Sequence, residues 1–277
     1  MAISLATKFA PYTDELFKAE SKTSLLTNSD FDWTGAKTVC VWKISTADMN
    51  DYGRTGAASG NFSRFGALLD LDAQTEDMIL TKDRSFIFNI DKLDQDETAN
   101  QVEAASALAR QIREEVIPEV DSYVYSVMAT NAGTKATAAA LTKANVYEKI
   151  LAGSQTLDDA EVPDTDRVLV VTPATYALLK QAAQFDNTDI TAEQRMTGVI
   201  GMLDGMAVVR VPASRLPANT GFMIAHPSAT VAPIKLEDYN IHENTPLSSG
   251  SIVTGRVCYD CFVLDNKADG IYYYPVA

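Results

Sequence analysis

The chain has 277 residues, 46% of them hydrophobic, enough for a sizeable core in one large or two modest domains. Its 23 Lys and Arg stand against 37 Asp and Glu, a formal net charge of −14, which makes it a poor non-specific binder of phosphate backbone. No apolar run approaches the ~20 residues that span a bilayer, and Cys40, Cys258 and Cys261 are too few and too odd in number for a disulfide framework.

The opening MAISLATKFAPYTDELFKAE lacks the basic-then-apolar pattern of a signal peptide, so the chain is expected to be made and kept in a cytoplasm. Residues 1–36 mix helix-like spacing (Leu5, Phe9, Leu16, Phe17) with polar turns near Asn28, and read as an arm with little core of its own. Val39, Val41 and Ile44 predict a strand; Gly53, Gly56, Gly60 and Gly66 then mark loop or irregular strand. Met78 and Leu80, a polar break at Lys82, Asp83 and Arg84, and alternating Phe86, Phe88 and Ile90 predict a hairpin. An isolated hairpin is marginal in water, so this one predicts a partner for its apolar face.

Val102, Ala105, Ala109, Ile112, Val116, Val120, Val124 and Val127 recur at steps of three and four and predict one helix from about residue 97 to 128. It would be roughly 48 Å long at ~1.5 Å per residue. Asp96 is placed to cap its start, and Asn131 with Gly133 to end it as a left-handed cap. Pro118 lies inside the period, removes a backbone hydrogen bond and predicts a kink or an end, read either as a static bend or as a hinge.

From residue 137 the pattern alternates. Helix at 144–151, buried strand at 168–171, helix at 174–185 behind Pro173, and strands at 207–211 and 222–225 predict a compact α/β unit. The tail, 251–263 and 271–276, predicts a second hairpin about Asp265, Asn266 and Lys267. The long helix and the tail each have an apolar face and are expected to pack together, with the α/β unit inserted between them.

No constellation predicts chemistry. Cys258 and Cys261 form a CxxC, but their flanks are strand-like, and residues three apart on a strand face opposite sides. They read as small hydrophobes. His226 and His242 are the chain's two histidines, and neither stands near a GxSxG elbow or in an HxxxH spacing. The glycines of GRTGAASG and Gly198, Gly201 and Gly205 miss the phosphate-loop and dinucleotide spacings. Asp91, Asp94, Asp96 and Glu97 are explained by helix capping and the helix dipole. No catalytic, cofactor or metal residue is assigned, and no enzyme is expected.

Taken in order, the arm, the glycine-rich loop, LTKDRSFIF, IDKLDQDET, VIPEVDSYVYS, VPDTDRVLVVTPATYALLK, GMLDGMAVVRVP and GRVCYDCFVLDNKADGIY resemble tailed-bacteriophage major capsid proteins of the Hong Kong 97 fold, over nearly the whole chain. The resemblance implies an α+β architecture: N-terminal arm (1–36), strand and extended β-hairpin loop (37–96), spine helix of a peripheral domain (97–131), axial α/β domain (132–229) and a return to the peripheral domain (230–277). It implies hexamers and pentamers of an icosahedral shell, assembled in the bacterial host cytoplasm and present in the virion. The shell would enclose double-stranded DNA without specific binding, beside a portal protein and decoration proteins, with no membrane. The hairpin residues Met78, Leu80, Arg84, Phe86, Phe88 and Ile90 are the expected contacts with an adjacent copy. Some relatives begin with a long scaffolding segment; none is recognisable here, so a separate scaffolding protein, or assembly without one, is expected. Lysine-to-asparagine crosslinking positions do not match. An encapsulin-like compartment of the same fold, holding an enzyme cargo, is the alternative.

Overall fold

The computed structural model describes residues 20–28, 31, 33, 38–56, 63–68, 70–93, 104–181, 199–243 and 249–277. In chain order these form β1 (Thr38–Ile44), β2 (Ala73–Ile79), β3 (Lys82–Asp91), α1 (Ala104–Gln111), a π-helical turn (Ile112–Val116), α2 (Ile117–Thr130) and β4 (Thr134–Lys135). There follow α3 (Val146–Asp159), β5 (Val168–Val171), α4 (Pro173–Gln181), β6 (Val199–Leu203), β7 (Met206–Arg210) and β8 (Thr220–Ala225). The last strands are β9 (Thr230–Val231), β10 (Ile234–Glu243), β11 (Gly250–Tyr259), β12 (Phe262–Val263) and β13 (Ile271–Pro275). The chain divides into two compact units, Trp33–Leu80 and the remainder.

The larger unit is built on a six-stranded sheet of order β4-β13-β8-β5-β7-β6. Its central strand β5 is apolar at every position because both faces are covered. Val168 and Val170 point to one core with Val124, Tyr125 and Met128 of α2. Leu169 and Val171 point to the other, with Val146, Ile150 and Leu157 of α3 and Leu179 of α4. Alternation along one strand thus serves two cores. A second sheet, β10-β11-β3, is antiparallel throughout. Phe86 lies opposite Gly255, where a Cβ would meet its ring at 2.3 Å, so only glycine lets the ring lie over that strand. The Phe86 ring also stacks near Phe88 and Tyr239, both at 6.2 Å.

In the smaller unit β1 and β2 pair antiparallel, from Thr38 opposite Ile79 to Ile44 opposite Ala73. Lys43 and Glu76 form an ion pair across them at 2.9 Å. Ser45 and Asp72 close the ribbon beyond the strands: the Ser45 N–H donates to the Asp72 carbonyl and the Asp72 N–H to the Ser45 hydroxyl, each at 2.9 Å.

Several expectations are corrected. Met78 and Phe86 do not share a hairpin: β2 pairs with β1, and β3 pairs with β11 over its whole length, Lys82 opposite Tyr259 to Asp91 opposite Gly250. The alternation was that of two strands, but only Leu80 and Thr81 separate them, and each strand finds a longer-range partner. Nor does the tail fold on itself: β11 joins β3 and β10, whereas β13 joins β8 and β4. The expected turn at Asp265, Asn266 and Lys267 is a 3-10 helix, Asp265–Gly270. Asn131 ends α2 with φ −103°, not in the left-handed region. Gly133 is required for space instead, since a Cβ there would meet the Asp269 backbone nitrogen at 2.6 Å. The capping role of Asp96 falls outside the described residues.

Pro118 neither ends the helix nor stands alone. Gln111, Val116 and Ile117 all keep helical torsions, so α1, the π-helical turn and α2 run on without a break. Pro118 has no N–H to give Glu114 and its ring crowds that carbonyl; the wider π-helical turn just before it takes up the mismatch. Pro118→Ala is expected to return Ile112–Val116 to α-helical bonding and stabilise the free subunit by about 1–3 kcal/mol. An unchanged urea midpoint would assign the turn to another cause.

Candidate functional site

The described residues offer no catalytic cluster. No group of His, Cys, Asp and Glu among them could hold a metal ion, and no helix among them is long and apolar enough to cross a membrane. The His226 Nδ1 accepts from the Ser228 N–H at 3.2 Å, capping a 3-10 turn, and burial lowers its pKa. The His242 Nε2 meets the Thr254 hydroxyl at 3.2 Å. Cys258 sits on β11, half-buried, whereas Cys261 is buried beside Val124 of α2. Burial, then the neighbouring Asp260 carboxylate, pushes the Cys261 thiol up to about 12. Iodoacetamide near pH 8 is therefore expected to modify Cys261 in the folded subunit at least ~100-fold more slowly than in urea; equal rates would contradict its burial.

What the structure displays instead is surface. Large apolar side chains that a folded chain would normally cover stand exposed along the smaller unit: Trp42 and Ile44 on β1, and Met49, Phe65, Leu68 and Leu71 on the connection to β2. Met49 is 99% exposed, Leu68 95% and Phe65 78%. Local contacts fix parts of this connection. The Gly53 N–H donates to the Arg64 carbonyl at 2.9 Å, and the Tyr52 ring meets the Phe65 ring edge-on at 5.0 Å.

The residues expected to contact an adjacent copy are distributed differently. Met78, Leu80 and Ile90 are buried. Phe86 and Phe88 are half-buried in their aromatic row on β3. Arg84 is exposed but bound to Glu119 of α2 at 2.7 Å. Sequence reading missed Trp42, Met49, Phe65 and Leu68, because nothing in local spacing distinguishes an uncovered apolar residue from a core one.

Two polar joints fix the rest of the larger unit. The Asp260 carboxylate, 3% exposed, accepts from the Thr81 N–H and hydroxyl at 2.7 and 2.8 Å through Oδ2. Its Oδ1 accepts from the Tyr123 hydroxyl at 2.7 Å and the Cys261 N–H at 2.8 Å. Burial, then this carboxylate, raises the pKa of Tyr123, so its hydroxyl remains a donor. In the second joint the buried Asp121 pairs with the buried Arg215 at 2.7 Å and accepts from Ser21 at 2.6 Å, tying the segment before Leu26 to α2. Between β3, β11 and the π-helical turn lies a cavity of about 80 Å³, bordered by Phe86, Val257, Tyr259, Glu115 and Val116.

The described residues thus combine a six-stranded sheet with apolar cores on both faces, a second, three-stranded sheet, and a two-stranded ribbon with large exposed apolar side chains. The sequence profile of the family described as phage capsid protein matches residues 75–272, and the chain belongs to that family. Its fold is that of the Hong Kong 97-like capsid proteins. A solved chain from Mycobacterium phage Che8 is 18% identical with a TM-score of 0.76, over 99% of this chain and 96% of that one. The mature capsid of bacteriophage PhiM1 gives 14% identity and a TM-score of 0.71, over 99% and 92%. The capsid of an empty GTA particle, computed with C5 symmetry, gives 13% and 0.66, over 99% and 95%. No curated protein sequence matches the chain.

Proposed function

We propose that copies of this chain assemble into the hexamers and pentamers of an icosahedral phage head that encloses double-stranded DNA, the Trp33–Leu80 ribbon of one copy laid on the next. The ribbon carries the reading. A two-stranded sheet is at best marginal in water, and this one leaves Trp42, Met49, Phe65 and Leu68 uncovered. Half-buried Phe86 and Phe88, with Arg84, are candidates to receive it. The C5 symmetry of the related GTA capsid supports five-fold rings in this fold.

In this reading the six-stranded sheet is the axial domain, and α1, α2 and the β10-β11-β3 sheet are the peripheral one. Pro118 and the π-helical turn are the hinge of the spine. The net charge of −14 supports a wall that encloses DNA without binding it specifically. A separate scaffolding protein, a portal and decoration proteins complete the head, assembled in the host cytoplasm, and the chain carries no catalytic role.

Purified particles test this. Nuclease-protected double-stranded DNA of genome length inside closed shells is the expected result. A protein cargo in place of DNA would transfer the chain to the encapsulin-like compartments, and a chain that stays monomeric at every concentration would remove the shell itself.

A further inference from the structure

Among the described residues, the two ends of the six-stranded sheet carry opposite charge. β5 and β7 run parallel, Val168 opposite Ala207 and Val171 opposite Arg210, so residues preceding both strands gather at one end and residues following them at the other. At the leading end the loop DDAEVPDTD and the turn between β6 and β7 present Asp159, Glu161, Asp164, Asp166 and Asp204, all exposed. Their cationic neighbours are few. Arg167 is buried and bound to Asp158 at 2.7 Å, and Lys267 stands close enough to His226 to be felt there.

At the trailing end cations gather round Tyr176. The Lys180 ammonium lies 5.1 Å and the Arg210 guanidinium 5.6 Å from its ring centre. The Lys22 ammonium donates to the Arg210 carbonyl at 3.2 Å. Arg215 is neutralised by Asp121, but among the described residues neither Lys180 nor Arg210 has a carboxylate partner. Burial, then Arg210, lowers the pKa of Lys22, against an opposing pull from Glu20. In a chain with 37 acids against 23 bases, two exposed cations sharing one ring, with no acid among the described residues paired to them, suit an anion from outside.

We propose that this cationic patch takes the 159–166 carboxylate loop of a second copy. Opposite signs on opposite ends of one rigid sheet suit a heterologous contact, in which one surface meets a different surface of the next copy and the rotation closes a ring. The patch thereby sets the direction of the ring and rejects head-to-head encounters, which would juxtapose like charges. The inference rests on the shell reading above and names the pairing within it.

Charge reversal tests it on the full chain. Lys180→Glu with Arg210→Glu makes both ends acidic, and Asp159→Lys with Glu161→Lys and Asp164→Lys makes both ends basic, since only Asp166 and Asp204 of those exposed acids then remain at the leading end. Each set is expected to lower assembly at least ~10-fold in about 50 mM NaCl, where screening is weak, while the free subunit keeps its circular dichroism melt. The chain carrying all five changes should assemble again. An equimolar mixture of the two reversed chains should close even-membered rings by alternation, but not five-membered ones. Lys180→Gln with Arg210→Gln, which adds no repulsion, should weaken assembly less and guards against a folding defect. Wild-type assembly by the Lys180→Glu, Arg210→Glu chain would overturn the pairing, including the case where its particles merely hold less DNA. Failure of the five-change chain to assemble with an unaltered melt would overturn it as well. If the wild type itself forms no shells, the shell reading fails instead.

Discussion

A subunit carrying Met49→Ser, Phe65→Ser and Leu68→Ser together is expected to stay folded and soluble and to form no shells. The three side chains project almost fully into solvent from the smaller unit, at 99%, 78% and 95% exposure, so removing them takes nothing from either core. Covering a large apolar side chain contributes roughly 1.5–3 kcal/mol, so the three supply on the order of 4–9 kcal/mol per copy to whatever covers them. Size-exclusion chromatography and negative-stain electron microscopy read the outcome, and normal particles would show that the ribbon does not drive assembly. A deletion between Ser45 and Asp72 gives a second version of the test. Removing 75–91 would not, because β3 is paired along its whole length with β11 and its loss would expose the second sheet.

Asp260→Ala is expected to destabilise the unassembled subunit by about 3–5 kcal/mol. Both carboxylate oxygens are fully used, and the change leaves the Thr81 N–H and hydroxyl, the Tyr123 hydroxyl and the Cys261 N–H without an acceptor. Buried donors left without partners cost more than their bonds contribute when made. Asp260→Asn keeps the shape but turns one acceptor into a donor, and should cost about half as much. Urea denaturation of unassembled subunits measures both; a shift under about 1 kcal/mol for Asp260→Ala would mean that water replaces the carboxylate.

How far the residues themselves announced this arrangement depended on where each element's partner lay. Val168–Val171 was legible because a short run of four apolar residues, three of them β-branched, suits a strand covered on both faces, and α4 because Pro173 marks its start. The strands at 73–79 and 82–91 showed their alternation but not their partners. β3 pairs with β11, about 170 residues away, and no local spacing encodes that distance. β10 was not singled out within the β-rich tail: Ile234–Glu243 is an edge strand exposed everywhere but at Tyr239, so burial imposes no period on its sequence. The polar joints at Asp260 and Asp121 were equally hidden, since Thr81, Tyr123 and Ser21 are brought to them only by the fold. The family resemblance rested on the order of segments along the chain, which survives even where individual pairings are misread.

The π-helical turn ahead of Pro118 sets α1 and α2 one residue out of step along the same helix. Such a turn holds a slip of one residue in hydrogen-bond register, and each residue is about 100° of rotation about the axis. α2 is locked by Val124, Tyr125 and Met128 in the core, whereas α1 has no buried residue to hold its angle. The face of Ala104–Gln111 turned toward β11 is therefore offset by that step from the one an unbroken α-helix would present there.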